Sequence, residues 1–294
     1  MNIYQQIASN KRKTFFLIFG FLIFTIIFGY IISLFFDLGL IGLGIFLIIF
    51  GVVTYISYYN SDKVALALSH AKPAKKEHYP QLYSIVENLS IGLGQPMPKV
   101  YVIQDPGMNA FATGRDPQHS AVAATTGILQ ALNKQELEGV MAHELSHIRN
   151  YDIRVMSMVT ILAGSIAIVS DFFLRSLIFS GGDNDRKSNG LMIIIAIAAA
   201  ILAPLAATLI KLSVSRNREY LADASGALLT RYPDGLASAL EKISKQPNLK
   251  NASHATAHLF IQNPFSSKKA RNFFTNLYST HPPAEERIKR LRAM

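Results

Sequence analysis

Two uncharged apolar runs, Thr14–Phe36 and residues 38–61, follow one another near the start of the chain and are parted only by Asp37. At a helical rise of 1.5 Å per residue, each is long enough to cross a hydrocarbon core of about 30 Å. Residues 155–170 and 188–210 form a second pair. Asp171 and Arg175 sit one helical turn apart near the far end of the third run, where they can pair at a membrane edge. The pattern predicts a membrane protein with four transmembrane helices in two hairpins. For the second hairpin, the alternative is an apolar pair lying against the polar part of the chain.

Between the hairpins the periodicity changes. Leu82, Ile85, Val86 and Leu89 recur at helical spacing, and Gly92-Leu93-Gly94 closes that helix. Lys99–Gln104 and Ser120–Thr125 read as strands, the second a candidate edge strand able to pair with an extended peptide. Asn133-Lys134-Gln135-Glu136 is a capping box that opens a further helix. Its apolar positions are Leu137, Val140, Met141, Leu145 and Ile148. The chain therefore divides into a membrane hairpin (1–59), a polar segment (60–152), a second hairpin (153–211) and a C-terminal polar segment (212–294). There is no internal repeat.

The formal charge of +10 changes the picture mainly through its placement. Lys11, Arg12 and Lys13 precede the first run, Lys63, Lys72, Lys75 and Lys76 follow the second, and Lys211, Arg216 and Arg218 follow the fourth. By the positive-inside rule both termini and both polar segments face the cytoplasm. Basic residues beside spans also meet anionic lipid, and no basic–aromatic interleaving suggests nucleic acid. The first run is too long for a cleaved leader, and a second run follows it at once. The absence of cysteine fits a reducing compartment.

The predicted helix after Asn133 contains His143-Glu144-Leu145-Ser146-His147. Imidazoles one turn apart share a helix face and can bind one zinc ion, with Glu144 beside them as a general base for water. A third ligand is expected from another helix. Ser215-Arg-Asn-Arg-Glu219-Tyr-Leu-Ala-Asp223 offers two carboxylates one turn apart, Glu219 for the metal and Asp223 for a ring N–H. The same stretch also fits a solvated charged face. His254 and His258 repeat the spacing, but Ala255 stands where a base would be needed, so a packed helix face is expected there. His70, His78 and His119 read as surface residues.

Taken in order, four runs, Asn109-Ala-Phe-Ala-Thr-Gly114, His143-Glu-Leu-Ser-His147, Ser215–Asp223 and Thr280-His-Pro-Pro283 with Glu286-Arg287 resemble the HtpX family of integral-membrane zinc proteases, relatives of the CAAX prenyl proteases. The resemblance covers essentially the whole chain. It implies a zincin-like α+β protease domain built from the two polar segments, one zinc ion per chain held by His143, His147 and Glu219, and Glu144 as base. It further implies Asp223 and Arg287 behind the ligands, and Asn109 and His281 as groups contacting the tetrahedral intermediate. The implied substrates are misfolded or damaged membrane proteins and other unfolded polypeptides, cleaved at the inner membrane.

Spacing adds one expectation. About seven residues separate His147 from the third run, and about as many separate the fourth run from Glu219. The metal should therefore sit within about 10 Å of the membrane surface. A scaffold with a structural zinc site, or a transporter with a regulatory one, are the rival classes. An intact Glu144 and the scarcity of polar pairs in the runs speak against them.

Overall fold

In the computed structural model, residues 3–35, 37–179, 216–245, 249, 256–262 and 282–294 are described. The first apolar run lies within α1 (Ile3–Phe35) and the second forms α2 (Gly39–Tyr59). The turn between them is tight, with Asp37 and Gly39 both at positive φ. Both helices are long and apolar enough to span a bilayer, over Ile7–Tyr30 and Gly39–Tyr59. No residue of α2 is buried, and side chains such as Leu40, Ile41 and Ile48 stand open. Each square ångström of apolar surface left in water costs about 25 cal/mol, so this face calls for a non-aqueous surrounding.

α1 begins eleven residues before the apolar run does. The extra turns are anchored at Asn10, which is buried against Asn150 and the start of α7 (Asp152–Phe179). That helix covers the third predicted span as one continuous element. The fourth span, residues 188–210, lies outside the described residues.

The polar part is built on a four-stranded mixed sheet of β1 (Lys72–Pro73), β2 (Lys99–Ile103), β3 (Ala110–Asp116) and β4 (His119–Thr125), in the order β1-β2-β4-β3. β4 runs parallel to β2 and antiparallel to β3. This corrects the expectation that Ser120–Thr125 is an edge: both its sides are paired, and the edges are β1 and β3. The sequence misleads because a strand covered on both faces and one lying at an edge can share the same run of small apolar residues. One sheet face, with Val100, Val102, Ala110, Ala112, Val122 and Ala124, packs in the core with α4 (Pro80–Leu93) and α6 (Lys134–Arg149). The other, with Ile103, Phe111, Ala121 and Ala123, meets α3 (Ser61–Leu68), Met156 of α7, and Leu259 and Phe260.

Local signals behave as read. α4 buries Leu82, Ile85, Val86 and Leu89 and ends at Gly94 in the left-handed conformation. α6 opens on the capping box: Asn133 Oδ1 accepts from Glu136 N at 2.9 Å, and Glu136 Oε2 accepts from Asn133 N at 2.8 Å. α5 (Thr126–Ala131) links β4 to that box. After α7, the described elements are α8 (Arg216–Thr230), α9 (Pro233–Ile243), a 3-10 turn (Ala257–Leu259) and α10 (Ala284–Leu291). α8 and α9 lie close on α6 because two glycines permit it. A Cβ on Gly226 would come within 3.1 Å of the His143 backbone nitrogen, and one on Gly139 within 2.6 Å of the Leu236 nitrogen.

Candidate metal centre

α6 is buried almost throughout, so His143, Glu144 and His147 project into the protein. The two imidazoles meet nearly edge to face, with their Nε2 atoms 3.1 Å apart. Glu219 of α8 brings its carboxylate to them, Oε2 at 3.8 Å from His143 Nε2 and Oε1 at 3.6 Å from His147 Nε2. One ligand atom from each of the three residues lies within 4.8 Å of the others.

The far side of each ring is already occupied. His143 Nδ1 lies 2.9 Å from Asp223 Oδ1, and His147 Nδ1 lies 2.9 Å from Asp152 Oδ2. A carboxylate can only accept, so each ring donates through Nδ1 and turns its Nε2 lone pair inward. Two lone pairs and a carboxylate facing one point repel each other unless a cation lies between them. The donor set of two imidazoles and a carboxylate therefore fits a metal ion.

Residues 76–294 match the family model described as Peptidase family M48. The chain belongs to peptidase family M48. It is accordingly a metalloprotease, and relatives similar to this M48 chain are named Protease HtpX homolog. One from Dictyoglomus turgidum is 48% identical, the match covering 99% of this chain and 94% of that protein. One from Tropheryma whipplei is 47% identical over 99% of this chain and 98% of its own length. A crystal structure of S. mikatae Ste24p aligns with a TM-score of 0.48 and 18% identity, covering 98% of this chain and 66% of that one.

In this M48 site Arg287 of α10 is wholly buried. It forks onto Asp223, Nη2 to Oδ1 at 2.7 Å and Nε to Oδ2 at 2.9 Å, while its Nη1 donates to the Ile261 carbonyl and stands 3.6 Å from Glu219 Oε2. Arg287 thus stands beside the Glu219 carboxylate, with its shortest contacts to Asp223. Burial raises the Asp223 carboxyl, but Arg287 and the His143 hydrogen bond outweigh it and hold the group down at about 2.

Without a cation the two rings differ. Burial lowers His143 to about 4. Burial also works against a charged His147, yet the bond to Asp152 and the charge of Glu219 prevail and raise it to about 9. Burial lifts the Glu144 carboxyl to about 7, while a charged His147 and the Ala112 main chain pull the other way. A carboxyl poised there can exchange a proton near neutral pH.

The other predicted residues fare unequally. Asn109 is fully buried at the head of β3; its Nδ2 donates to the Gln262 carbonyl at 2.8 Å, and its Oδ1 accepts from Ala110 N at 3.1 Å. These contacts tie residues 256–262 to the strand. His281 and His254 lie outside the described residues. His258 is buried, with Nε2 3.2 Å from both Thr160 Oγ1 and the Met156 carbonyl, which fits the packed reading. His70, His78 and His119 are exposed, and His119 pairs with Asp116.

Asp152 is the residue that sequence reasoning missed. Five residues after His147, it would point elsewhere on a continuous helix. The chain instead breaks at Asn150, and Tyr151 adopts φ 58°, which turns Asp152 back to the ring. A non-glycine residue in that conformation leaves no mark in the hydrophobic pattern. An Asn before an acidic helix start is the only signal available.

Proposed function

We propose that the protein is a zinc-dependent endopeptidase of the membrane, cleaving misfolded or damaged membrane proteins on the cytoplasmic side with Glu144 as general base. The observation that carries the reading is the convergence of both Nε2 atoms and the Glu219 carboxylate beside a buried Glu144 whose proton affinity is near neutral. Zinc held there supplies Lewis acidity and acidifies a water molecule to a pKa of about 7.

In this mechanism Glu144 takes the proton of the attacking water and later returns it to the leaving amine. Asp223 and Asp152 keep the two rings in the donating tautomer at Nδ1. Arg287 keeps Asp223 charged. Asn109 and His281 are the groups proposed to steady the developing oxyanion, an effect typically worth about 3–4 kcal/mol per donor.

The substrate strand is assigned to the outer edge of β3. Asn109 O pairs with Thr125 N across the sheet, whereas Ala110 O and Gly114 N and O bond outward, to Ile261 and Ser157. Alternation places the Ala112 amide and carbonyl on that outer edge between them, next to Glu144.

Four spans, with protease segments 60–152 and 212–294 around hairpins 1–59 and 153–211, are the membrane arrangement we propose. The open apolar face of α2 and the basic residues flanking the runs support it. The proximity of Asn10 and Asp152 to His147 supports a metal close to the bilayer surface.

The test compares detergent-purified, zinc-loaded wild type with Glu144→Gln on an unfolded polypeptide. Cleavage by the wild type alone, with about one zinc bound to each protein, supports the reading. Equal inertness with zinc bound would favour a structural site.

A further inference from the structure

We propose that Asn10, on the first apolar helix, is a positioning residue of the metal centre: it fixes Asp152, and through it the His147 ring. The inference rests on the metal site assigned above.

Asn10 is fully buried, and its Nδ2 donates to Asp152 Oδ1 at 2.7 Å and to the Asn150 carbonyl at 2.9 Å. Packing alone does not call for this residue. A few turns on, Leu17 of the same helix packs on Val159 and Ala163 of α7 with an apolar side chain, and a buried carboxamide costs free energy unless it is bonded. Both Nδ2 hydrogens are used, Oδ1 has no hydrogen-bond partner among the described residues, and turning the amide over would set that oxygen against two acceptors. The orientation is therefore fixed by the partners.

Asp152 divides its carboxylate between two helices. Oδ2 takes the His147 Nδ1 proton, and Oδ1 takes the Asn10 amide. Of the cations whose charge reaches Asp152, Lys13 and Arg218, the second has its Nη1 3.7 Å from Oδ1, beyond hydrogen-bonding reach, and its guanidinium makes no hydrogen bond among the described residues. Arg218 attracts the carboxylate without setting its plane. Asn10 sets the plane, and the plane sets the His147 ring. Asn10 and Asp152 are 142 positions apart, so the link exists only while α1 and α7 are packed together.

The test titrates metal-free, full-length protein in detergent with zinc against a chromophoric chelator at fixed pH, alongside thermal unfolding of the metal-free form. Asn10→Leu removes both hydrogen bonds while keeping the branched shape, and Asn10→Ala does so with less bulk should the larger leucine fail to fold. Leu17→Ala loosens the same helix pair without touching Asp152.

Partners of ligating histidines are worth about 10–100-fold in affinity, and Asn10 acts one step further out, so we expect about a tenfold loss. Leu17→Ala should melt earlier yet bind zinc as the wild type does. In an Asp152→Ala background, Asn10→Leu should cost nothing more, because the residue it holds is gone. Wild-type affinity in both Asn10 variants, an equal loss in Leu17→Ala, or additive losses in the double variant would each overturn the proposal. Wild-type protein that takes up no zinc would overturn the metal site itself, which separates the two failures.

Discussion

Arg287 and Asp223 lie on different helices of the C-terminal segment and meet through two hydrogen bonds of 2.7 and 2.9 Å, both side chains buried. The same carboxylate holds the ring of His143. α10 thus clamps the helix that supplies Glu219 and steadies a ring on a third helix with one planar cation.

Removing that cation should be severe. Arg287→Ala leaves Asp223 charged and buried without its partner, a change that typically costs about 3–5 kcal/mol. Arg287→Lys should recover only a small part, because an ammonium cannot reproduce the two-pronged fork. Denaturant unfolding of the metal-free proteins measures both. A lysine variant as stable as wild type would contradict the geometry.

Activity should fall on the acid side through the protonation of Glu144. Its carboxyl stands at about 7 without a cation, and only the charged form accepts a proton from water. A nearby dication favours the charged form, so in the zinc-loaded protein the acid limb of kcat/KM should lie below pH 7. Activity is full above the limb and lost as pH falls through it. The pH profile of a peptide substrate settles this, and a limb above pH 7 would count against Glu144 as the titrating group.

Proline should discriminate between neighbouring strands. Ala112→Pro on the outer edge of β3 removes no bond to β4, though it takes the main-chain partner from Glu144, so metal content should persist while cleavage drops. Val122→Pro, inside the sheet on a strand paired on both sides, should prevent folding. Zinc content, circular dichroism and peptide cleavage of the two variants give the comparison.

Gly139 should tolerate no side chain. A Cβ there would meet the Leu236 backbone nitrogen at 2.6 Å, so Gly139→Ala must push α9 away from α6. Overpacking of this kind costs about 1–3 kcal/mol. A melting temperature equal to wild type would show that the helices have room to part.

Chelation should destabilise the protein as well as silence it. A ligand bound only to the native state at 100 times its Kd adds about 2.7 kcal/mol. Melting curves with and without zinc should therefore separate in wild type and coincide in a variant lacking His143 and His147.

What the sequence determined by itself is local or periodic. The two apolar helices, the α4 core positions, the Asn133 capping box and the one-turn spacing of His143 and His147 all follow from a repeat of 3.6 residues or from contacts a few residues apart. The one-turn spacing of two carboxylates offered Glu219 and Asp223, whereas resemblance, not periodicity, supplied Arg287, Asn109 and His281. The tertiary structure alone decided that β4 is interior and β3 an edge, because strand order depends on pairing between distant segments. It alone brought Asp152 to His147, through a left-handed residue that ends one helix and redirects the next. It alone placed Asn10 beside Asp152, since a hydrogen bond between residues 142 positions apart is set by how helices pack, which no local pattern encodes.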